Sequence, residues 1–267
     1  MEINMKERIL DKVMFRDLEA GKIKLKVVDM VFIACLFVFA FMIRWKLMPV
    51  ESADYWGFLE DWMEQIRTHG GFSSLKYQIS NYSSPYMYLM CLLSYLTTND
   101  LYGLKLISVF FDYAASVAVF LILYQITGNL RKSIMGMALL LLSPTVILDS
   151  AYWCQCDIIY TAFILYALYY FFKDNSRWCL IFVGISFTFK LQALFIVPFL
   201  IIMWLKRKTV RLSDFLWIPI IYVISAIPAW VAGRDFKELM LIYFDQAGTY
   251  PWGTLEYPNI CLLYTSP

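Results

Sequence analysis

Long apolar stretches separated by short polar turns dominate the chain. A membrane-spanning helix needs about 20 mostly apolar residues. Segments that approach or exceed this length occur at roughly 27–48, 84–98, 104–126, 132–148, 157–173, 178–205 and 213–233. The second and fourth are short, and the sixth is long and contains Lys190 near its middle. The pattern predicts an all-α, polytopic transmembrane protein with about seven membrane segments.

The polar stretch at 49–83 has a helical pattern of its own. Its apolar side chains recur at steps of three and four residues, at Tyr55, Phe58, Leu59, Trp62, Met63 and Ile66. This spacing predicts one apolar face of a helix, and Trp and Tyr on such a face favour the membrane interface. We therefore expect an interfacial helix in this first outer loop.

Basic residues predict the orientation of the chain. The tail at 1–26 is rich in Lys and Arg, and the densest basic loop lies at 206–211. Both are expected in the cytoplasm. The first outer loop at 49–83 and the start of a second outer loop at 234–259 then lie on the far side.

Two topologies remain open between these anchors. Simple alternation through all segments places Arg131 and Lys132 outside and the turn at 153–157 inside, against the usual distribution of positive charge. If 84–98 is re-entrant and 178–205 is a hairpin broken at Lys190, the turn at 153–157 moves outside. Broken segments are tolerated in a membrane where they line a cavity.

The composition agrees with a membrane location. The chain has 267 residues, of which 61% are hydrophobic and 16% charged, whereas soluble domains average about half and a quarter. We expect a cytoplasmic tail at 1–26 and one transmembrane domain at 27–267. The net charge of +2 gives no indication of a nucleic-acid partner, and the single histidine, His69, argues against a multi-histidine metal site. The cysteines are expected to be free and mostly buried, since Cys154 and Cys156 are too close for a zinc or thioredoxin motif.

Carboxylates and aromatic rings cluster directly after the first apolar segment, between Glu51 and Trp62. Asp54 is the strongest catalytic candidate, because a carboxylate at the membrane surface can take a proton from an acceptor hydroxyl. Displacement of a sugar from a phosphate needs no second carboxylate as acid, unlike glycoside hydrolysis. The alternative is that Asp54 is one of five solvated acids in the loop. Asp61 is the second candidate.

Three other positions carry polar groups where polar groups are costly or clustered. Lys190 lies in an apolar run and needs a lipid phosphate or an ion-pair partner, either Asp112 or Asp157. The turn containing Trp153, Gln155 and Asp157 suits a sugar ring, or is part of an ordinary aromatic belt. Asn81 and Tyr86 lie where the first outer loop meets the membrane, and form either a binding rim or a simple turn and helix cap.

Together these runs resemble a known family, the bacterial Gpi18-like mannosyltransferases of the GT-C class of multi-pass glycosyltransferases. The matching runs span about 48–260 and include Asp54-Tyr55, Asn81-Tyr82-Ser-Ser-Pro85-Tyr86, Trp153-Cys-Gln-Cys-Asp157 and Phe189-Lys190-Leu-Gln192, with a weaker match at Tyr250-Pro251 and Asn259-Ile260. The chain departs from the family pattern at Cys154, Asp149 and Ser84, where the family usually has Gly, Asn and Pro.

The resemblance implies inverting transfer of a hexose, with mannose as the first expectation, from a polyprenyl-phosphate sugar to a glycan, lipid or protein acceptor. It implies Asp54 as general base. The substrate-binding residues that we expect are Lys190, Gln192, Trp153, Gln155, Asp157, Tyr86, Asn81 and Asp61. No cofactor or metal ligand is expected, although some members of the class use a divalent metal. The expected location is the bacterial inner membrane with the active side facing outward.

The family also implies a longer chain. Its members have further spans after the second outer loop, whereas the apolar run that starts at Ile260 is cut at Pro267. We therefore expect a truncated chain that is inactive by itself, with a poorly ordered end.

Two other function classes are compatible with a multi-pass protein. A transporter or flippase would place polar groups at the middle of the membrane and show inverted repeats, but the acids here gather near the interface and no repeat is visible. A noncatalytic membrane scaffold would need neither an embedded lysine nor a cluster of surface acids. Labelled polyprenyl-phosphate mannose distinguishes the enzyme from the other two, because only the enzyme forms a glycosidic product, and transport without such a product would contradict the enzymatic interpretation.

Overall fold

The structure is a computed structural model that describes residues 14–20, 23–207 and 211–249. It is 83% helical, which confirms the all-α class. An antiparallel pair of short strands, β1 (Asp17–Ala20) and β2 (Ile23–Lys26), precedes the first helix, with Asp17 opposite Lys26. The sequence pattern did not predict this pair.

The helices divide into three groups along the chain. The first group contains α1 (Val27–Leu47), a π-helical turn (Tyr55–Leu59), α2 (Glu60–Thr68), a 3-10 helix (Gly71–Lys76) and α3 (Ser84–Leu96). The second contains α4 (Asp100–Thr127), α5 (Leu130–Leu141), α6 (Pro144–Ile147), a second π-helical turn (Leu148–Tyr152) and α7 (Asp157–Phe172). The third contains α8 (Ser176–Phe189), a 3-10 helix (Leu191–Ile196), α9 (Val197–Arg207), a 3-10 helix (Leu212–Leu216), α10 (Trp217–Val231) and α11 (Phe236–Thr249).

Within the described residues, three helical segments are long and apolar enough to cross a membrane: α1, α4 and Leu212–Val231. A fourth is reached if α5 and the helical stretch Pro144–Tyr152, bent by 47° against each other, form one broken span. The apolar helices α7, α8 and Leu191–Lys206 are shorter. Long apolar helices thus support membrane association, while this criterion of length and composition gives fewer spans than the seven expected.

The long apolar segment at 178–205 does not form one helix. Helix α8 ends at Phe189, and Lys190 has extended backbone angles (φ −148°, ψ 142°) before the following 3-10 helix begins. The break therefore lies at Lys190, as in the hairpin topology. Its consequence is that this side chain sits at a helix end instead of inside a continuous helix.

The helical face predicted in the first outer loop exists and packs on protein. Tyr55, Leu59, Trp62, Met63 and Ile66 are all buried in the largest hydrophobic cluster, together with residues of α3. Phe58, predicted on the same face, is 44% exposed. Residues 55–59 form a π-helical turn, whose wider repeat displaces Phe58 from the buried stripe.

A buried ionic network joins the first two groups of helices. Arg44 of α1 donates from Nε to Oδ2 of Asp112 in α4 at 2.7 Å, and both side chains are fully buried. Its Nη2 donates to the Leu141 carbonyl at 2.9 Å, and the Ser150 hydroxyl donates to the same Asp112 oxygen at 2.6 Å. Asp112 is therefore the partner of Arg44, and its expected alternative role as partner of Lys190 is wrong.

Lys105 fixes the start of the first outer loop. This buried side chain of α4 donates from Nζ to the Leu47 and Met48 carbonyls at 3.3 and 3.2 Å, and also to the Val50 carbonyl. Because carbonyls at a helix C-terminus lack helical partners and attract a cation, the lysine caps α1. The chain consequently leaves α1 in a defined direction, only a few residues before Asp54.

Candidate functional site

Residues from three distant parts of the chain close around one small cavity of about 140 Å³. Asp54, Asn81, Tyr86 and Gln155, all predicted site residues, line this cavity. The remaining lining residues are Phe58, Leu59, Trp62, Tyr82, Cys154 and Cys156. We call it the Asp54 cavity.

Two hydrogen bonds hold the Asp54 carboxylate. Trp153 donates from Nε1 to Oδ2 at 2.6 Å, and Gln155 donates from Nε2 to the same oxygen. Ser52 joins the two segments, because its hydroxyl donates to the Trp153 carbonyl at 2.5 Å and accepts from the Tyr55 amide at 3.2 Å. Among the described residues no donor is bonded to Oδ1 of Asp54, since both bonds go to Oδ2.

The turn that supplies these donors is itself anchored. The Gln155 amide donates to the Asp149 carbonyl at 2.9 Å, and the Ser108 hydroxyl of α4 donates to the Gln155 carbonyl at 2.7 Å. Cys154 lies in this turn with φ of 65°, in the left-handed region that favours glycine. This is the position where the resembling family usually has Gly.

The left-handed backbone conformation of Cys154 leads to a prediction about stability. A non-glycine residue in the left-handed region costs about 1 kcal/mol. The free energy of unfolding of Cys154→Gly should therefore exceed that of Cys154→Ala by about that amount. Cys91 provides the control, because it is also buried but lies inside α3. There Gly should be less stable than Ala, by about 1 kcal/mol. Denaturant unfolding of the four variants in detergent measures both differences, and equal stabilities at position 154 would contradict the prediction.

A second, larger cavity of about 610 Å³ adjoins the first and shares Asn81 and Tyr82 with it. Lys190 and Gln192, two further predicted residues, line it. Its other walls are Phe189, Leu191, Leu194, Phe195, Tyr243 and Gln246. Phe195 is 84% exposed, so the cavity opens along an apolar wall. We call it the Lys190 cavity.

Lys190 forms an ion pair with Asp157 through Nζ and Oδ1. The lysine side chain is 14% exposed and the aspartate side chain 42%. The ammonium group also lies 5.2 Å from the ring centroid of Tyr82, a cation–π distance. Of the two ion-pair partners that the sequence allowed, Asp112 and Asp157, Lys190 pairs with Asp157.

The segment between the two cavities is held from both sides. The Ser83 hydroxyl donates to the Thr188 and Phe189 carbonyls at 2.5 and 3.0 Å. Gln246 of α11 donates from Nε2 to the Asn81 carbonyl. The contributions of Ser52, Ser83 and α11 were missed in the sequence, because Ser and Gln in a polar stretch carry no distinctive pattern.

Three predicted site residues line neither cavity: Asp61, Trp153 and Asp157. Two of them contact cavity residues, since Trp153 donates to Asp54 and Asp157 pairs with Lys190. Asp61 is exposed and accepts a hydrogen bond from Nε2 of Gln65 at 2.7 Å, one helical turn away. The weaker matches at Tyr250-Pro251 and Asn259-Ile260, and the expected disorder of the chain end, lie outside the described residues. Of the expected outer-loop acids, only Asp54 lines a cavity.

Burial keeps the thiols of the site neutral. It raises the pKa of Cys154 and of Cys156 to about 12, so neither forms the thiolate that acts as a nucleophile. Tyr55 has its pKa raised to about 12 by burial and by the nearby charges of Glu60, Asp100 and Glu51. Within the part of the chain that the structure describes, no three His, Cys, Asp or Glu side chains are arranged to hold a metal ion. Asp54 is the carboxylate among the residues that line this cavity.

No protein-family model matches the chain, and comparisons with curated proteins and with solved structures give no match either.

Proposed function

We propose that this protein is a membrane glycosyltransferase of the GT-C type that moves a hexose, with mannose as the first candidate, from a polyprenyl-phosphate donor to an acceptor hydroxyl with inversion. One observation carries the proposal. A carboxylate with a free oxygen, Asp54, and a lysine, Lys190, lie in two adjoining cavities that meet at Asn81 and Tyr82. A transfer reaction needs these two groups on the acceptor and the phosphate side of one reacting carbon.

The Lys190 cavity has the character of a site for a lipid phosphate. Its volume falls within the roughly 300–1,000 Å³ of small-molecule sites. Lys190 and Gln192 supply polar donors, while Phe189, Leu194 and Phe195 supply an apolar wall. A lysine ammonium has three donors, so it can keep its contact with Asp157 and still bind a phosphate oxygen.

The Asp54 cavity supports the proton-transfer half of the reaction. Oδ1 of Asp54 takes the proton of the acceptor hydroxyl while the oxygen of this hydroxyl forms a bond to the anomeric carbon of the sugar. The bond from this carbon to the phosphate oxygen breaks, and its electron pair leaves with the polyprenyl phosphate. Trp153 and Gln155 hold Oδ2, which orients the carboxylate and leaves the other oxygen to act as base.

We also propose a membrane arrangement in which helix α3 does not cross. Helix α2 precedes α3 in the chain but contacts its C-terminal end: Arg67 of α2 donates to the Ser94 carbonyl at 2.8 Å and also pairs with Asp100 at the start of α4. About seven crossings then remain, because Lys190 divides the 178–205 segment into two. Some of these are short, since the 16 residues of α7 rise about 24 Å.

This arrangement is supported by the distribution of charge. The turns that contain Arg131, Lys132, Lys173 and Arg177 fall on the same side as the basic loop at 206–211, and the Arg211 amide donates to the Ser176 hydroxyl at 2.8 Å. The acids of the first outer loop fall on the other side together with both cavities. The basic turns and the basic loop then all lie in the cytoplasm, and the proposed site, with the α2 helix beside it, faces outward at the bacterial inner membrane.

A transfer assay tests the proposal. Protein in proteoliposomes is given polyprenyl-phosphate mannose labelled in the sugar, with a panel of glycan, lipid and peptide acceptors. Formation of a labelled glycoside with inverted anomeric configuration is expected. Movement of the donor across the bilayer without a glycosidic product would instead favour a flippase and overturn the enzymatic proposal.

Lys190→Met should weaken binding of the donor. A hydrogen bond to a charged group contributes about 1.5–3 kcal/mol, so the apparent KM for the polyprenyl-phosphate sugar should rise at least about tenfold. The double variant Lys190→Met/Asp157→Asn is the control, because it also removes the unpaired carboxylate and restores any loss of thermal stability. Recovery of both stability and donor KM in the double variant would show that Lys190 has only a structural role.

A further inference from the structure

Asn81 carries a buried acceptor without a partner. Its side-chain Oδ1 has almost no accessible surface and receives no hydrogen bond among the described residues. A buried polar atom in this state costs about 1–3 kcal/mol, and most such atoms in folded proteins are paired. Folding does not explain why this acceptor is left unpaired, whereas binding of a ligand in the adjoining cavities would.

The position of Asn81 supplies that reason. The residue lines both the Asp54 cavity and the Lys190 cavity, so it lies where a group bound in one cavity meets a group bound in the other. Few other side chains share this place. Tyr82 also lines both, but its ring already contacts the Lys190 ammonium and, at 5.2 Å between centroids, the ring of Trp62.

The main chain around Asn81 is held by hydrogen bonds, whereas its side-chain oxygen has none among the described residues. Its carbonyl accepts from Gln246 of α11. Two residues further on, the Ser83 hydroxyl is bonded to two carbonyls at the end of α8. These contacts fix the main chain on both sides, and they leave the side-chain amide as the part that a ligand can satisfy.

We infer that Asn81 is the specificity-determining residue of this site and that its side chain turns toward the bound sugar, so that Oδ1 accepts a hydrogen bond from one hydroxyl of the transferred sugar. The inference deepens the proposed function and rests on it for the identity of the ligand. A site with an unpaired buried acceptor rejects an analogue that lacks the matching hydroxyl, because that analogue leaves the acceptor unpaired. The ring hydroxyls of a hexose are donors of this kind.

Ligand-free stability tests the unpaired state without any substrate. Asn81→Ala removes a buried acceptor that has no partner, so its unfolding temperature should equal or exceed that of the unchanged protein. Asn129→Ala is the matched control. Its Oδ1 accepts from the Lys132 amide at 3.1 Å and caps α5, so its loss should lower stability by about 1 kcal/mol. If Asn81→Ala is destabilised as much as this control, its amide has a structural partner and the inference is wrong.

A panel of deoxy sugars tests the hydroxyl. Methyl hexosides, each lacking one hydroxyl, are compared by the thermal shift that they cause, and the corresponding polyprenyl-phosphate donors by kcat/KM. One deoxy sugar should be about 10- to 100-fold weaker than its parent. In Asn81→Ala the binding and kcat/KM of the parent sugar should fall by a similar factor. Those of that one deoxy sugar should be the same in Asn81→Ala as in the unchanged protein.

The two measurements separate failure of the inference from failure of the proposed function. Hydroxyl-dependent binding that Asn81→Ala abolishes, without transfer of any donor, would retain the role of Asn81 and remove the enzymatic activity. If Asn81→Ala still transfers the sugar and discriminates among the deoxy sugars as the unchanged protein does, the enzymatic activity is retained and the role of Asn81 is wrong. Absence of a thermal shift with every sugar at millimolar concentration would overturn the role of Asn81.

Discussion

Asp54→Asn is expected to reduce sugar transfer by at least about 100-fold, the lower end of the contribution of a positioned general base. The substitution keeps the shape of the side chain and an oxygen that can still accept from Trp153 and Gln155. It removes the ability of the second oxygen to take a proton. Folding should therefore be preserved, and the loss should appear in kcat with little change in the KM of the donor.

Asp61→Asn is the matched control for this experiment. Asp61 is an acid of the same outer loop, but its hydrogen bond to Gln65 lies within one turn of α2, and it lines neither cavity. Its variant should retain nearly full turnover in the same proteoliposomes. Full activity in Asp54→Asn together with a large loss in Asp61→Asn would transfer the role of base to Asp61.

The largest effect on stability is expected at Arg44. Removal of one member of a buried ion pair costs about 3–5 kcal/mol, because the other charge remains buried without compensation. Arg44→Met leaves Asp112 in this state, and it also leaves the Leu141 carbonyl without its donor. The free energy of unfolding, measured in mixed detergent micelles, should fall by that amount.

Two further variants show whether the unpaired charge is the cause. Arg44→Met/Asp112→Leu removes both charges and should recover most of the loss, since Ser150 keeps a bond to the Val146 carbonyl at 3.0 Å. Lys46→Met changes an exposed cation in the same helix, and should alter stability by no more than about 0.5 kcal/mol. If Arg44→Met resembles Lys46→Met, the network does not hold α1 to α4.

Local pattern in the sequence predicted the helical class and much of the helix placement. Runs of apolar residues predicted α1 and α4 because their composition is a property of the segment itself. The recurrence from Tyr55 to Ile66 predicted a helical face that is buried in the structure apart from Phe58. The cost of a lysine in an apolar run likewise identified Lys190 as a residue that needs a partner.

The choice among partners depended on tertiary structure. Asp112 and Asp157 both offered Lys190 a carboxylate, and the cost of burying a charge is the same whichever carboxylate offsets it. Packing of α1 against α4 gave Asp112 to Arg44, which is 68 residues away in the chain, and left Asp157 for Lys190.

The same holds for the candidate site. The bond from Trp153 to Asp54 joins residues 99 positions apart, and Gln246 reaches Asn81 from a helix that no motif had connected with the site. Composition and periodicity are properties of a single segment, and they indicate which of its faces is exposed to water or lipid. Distances between segments are set by which helices pack together, so only the folded structure could place Asp54 and Lys190 on two sides of Tyr82.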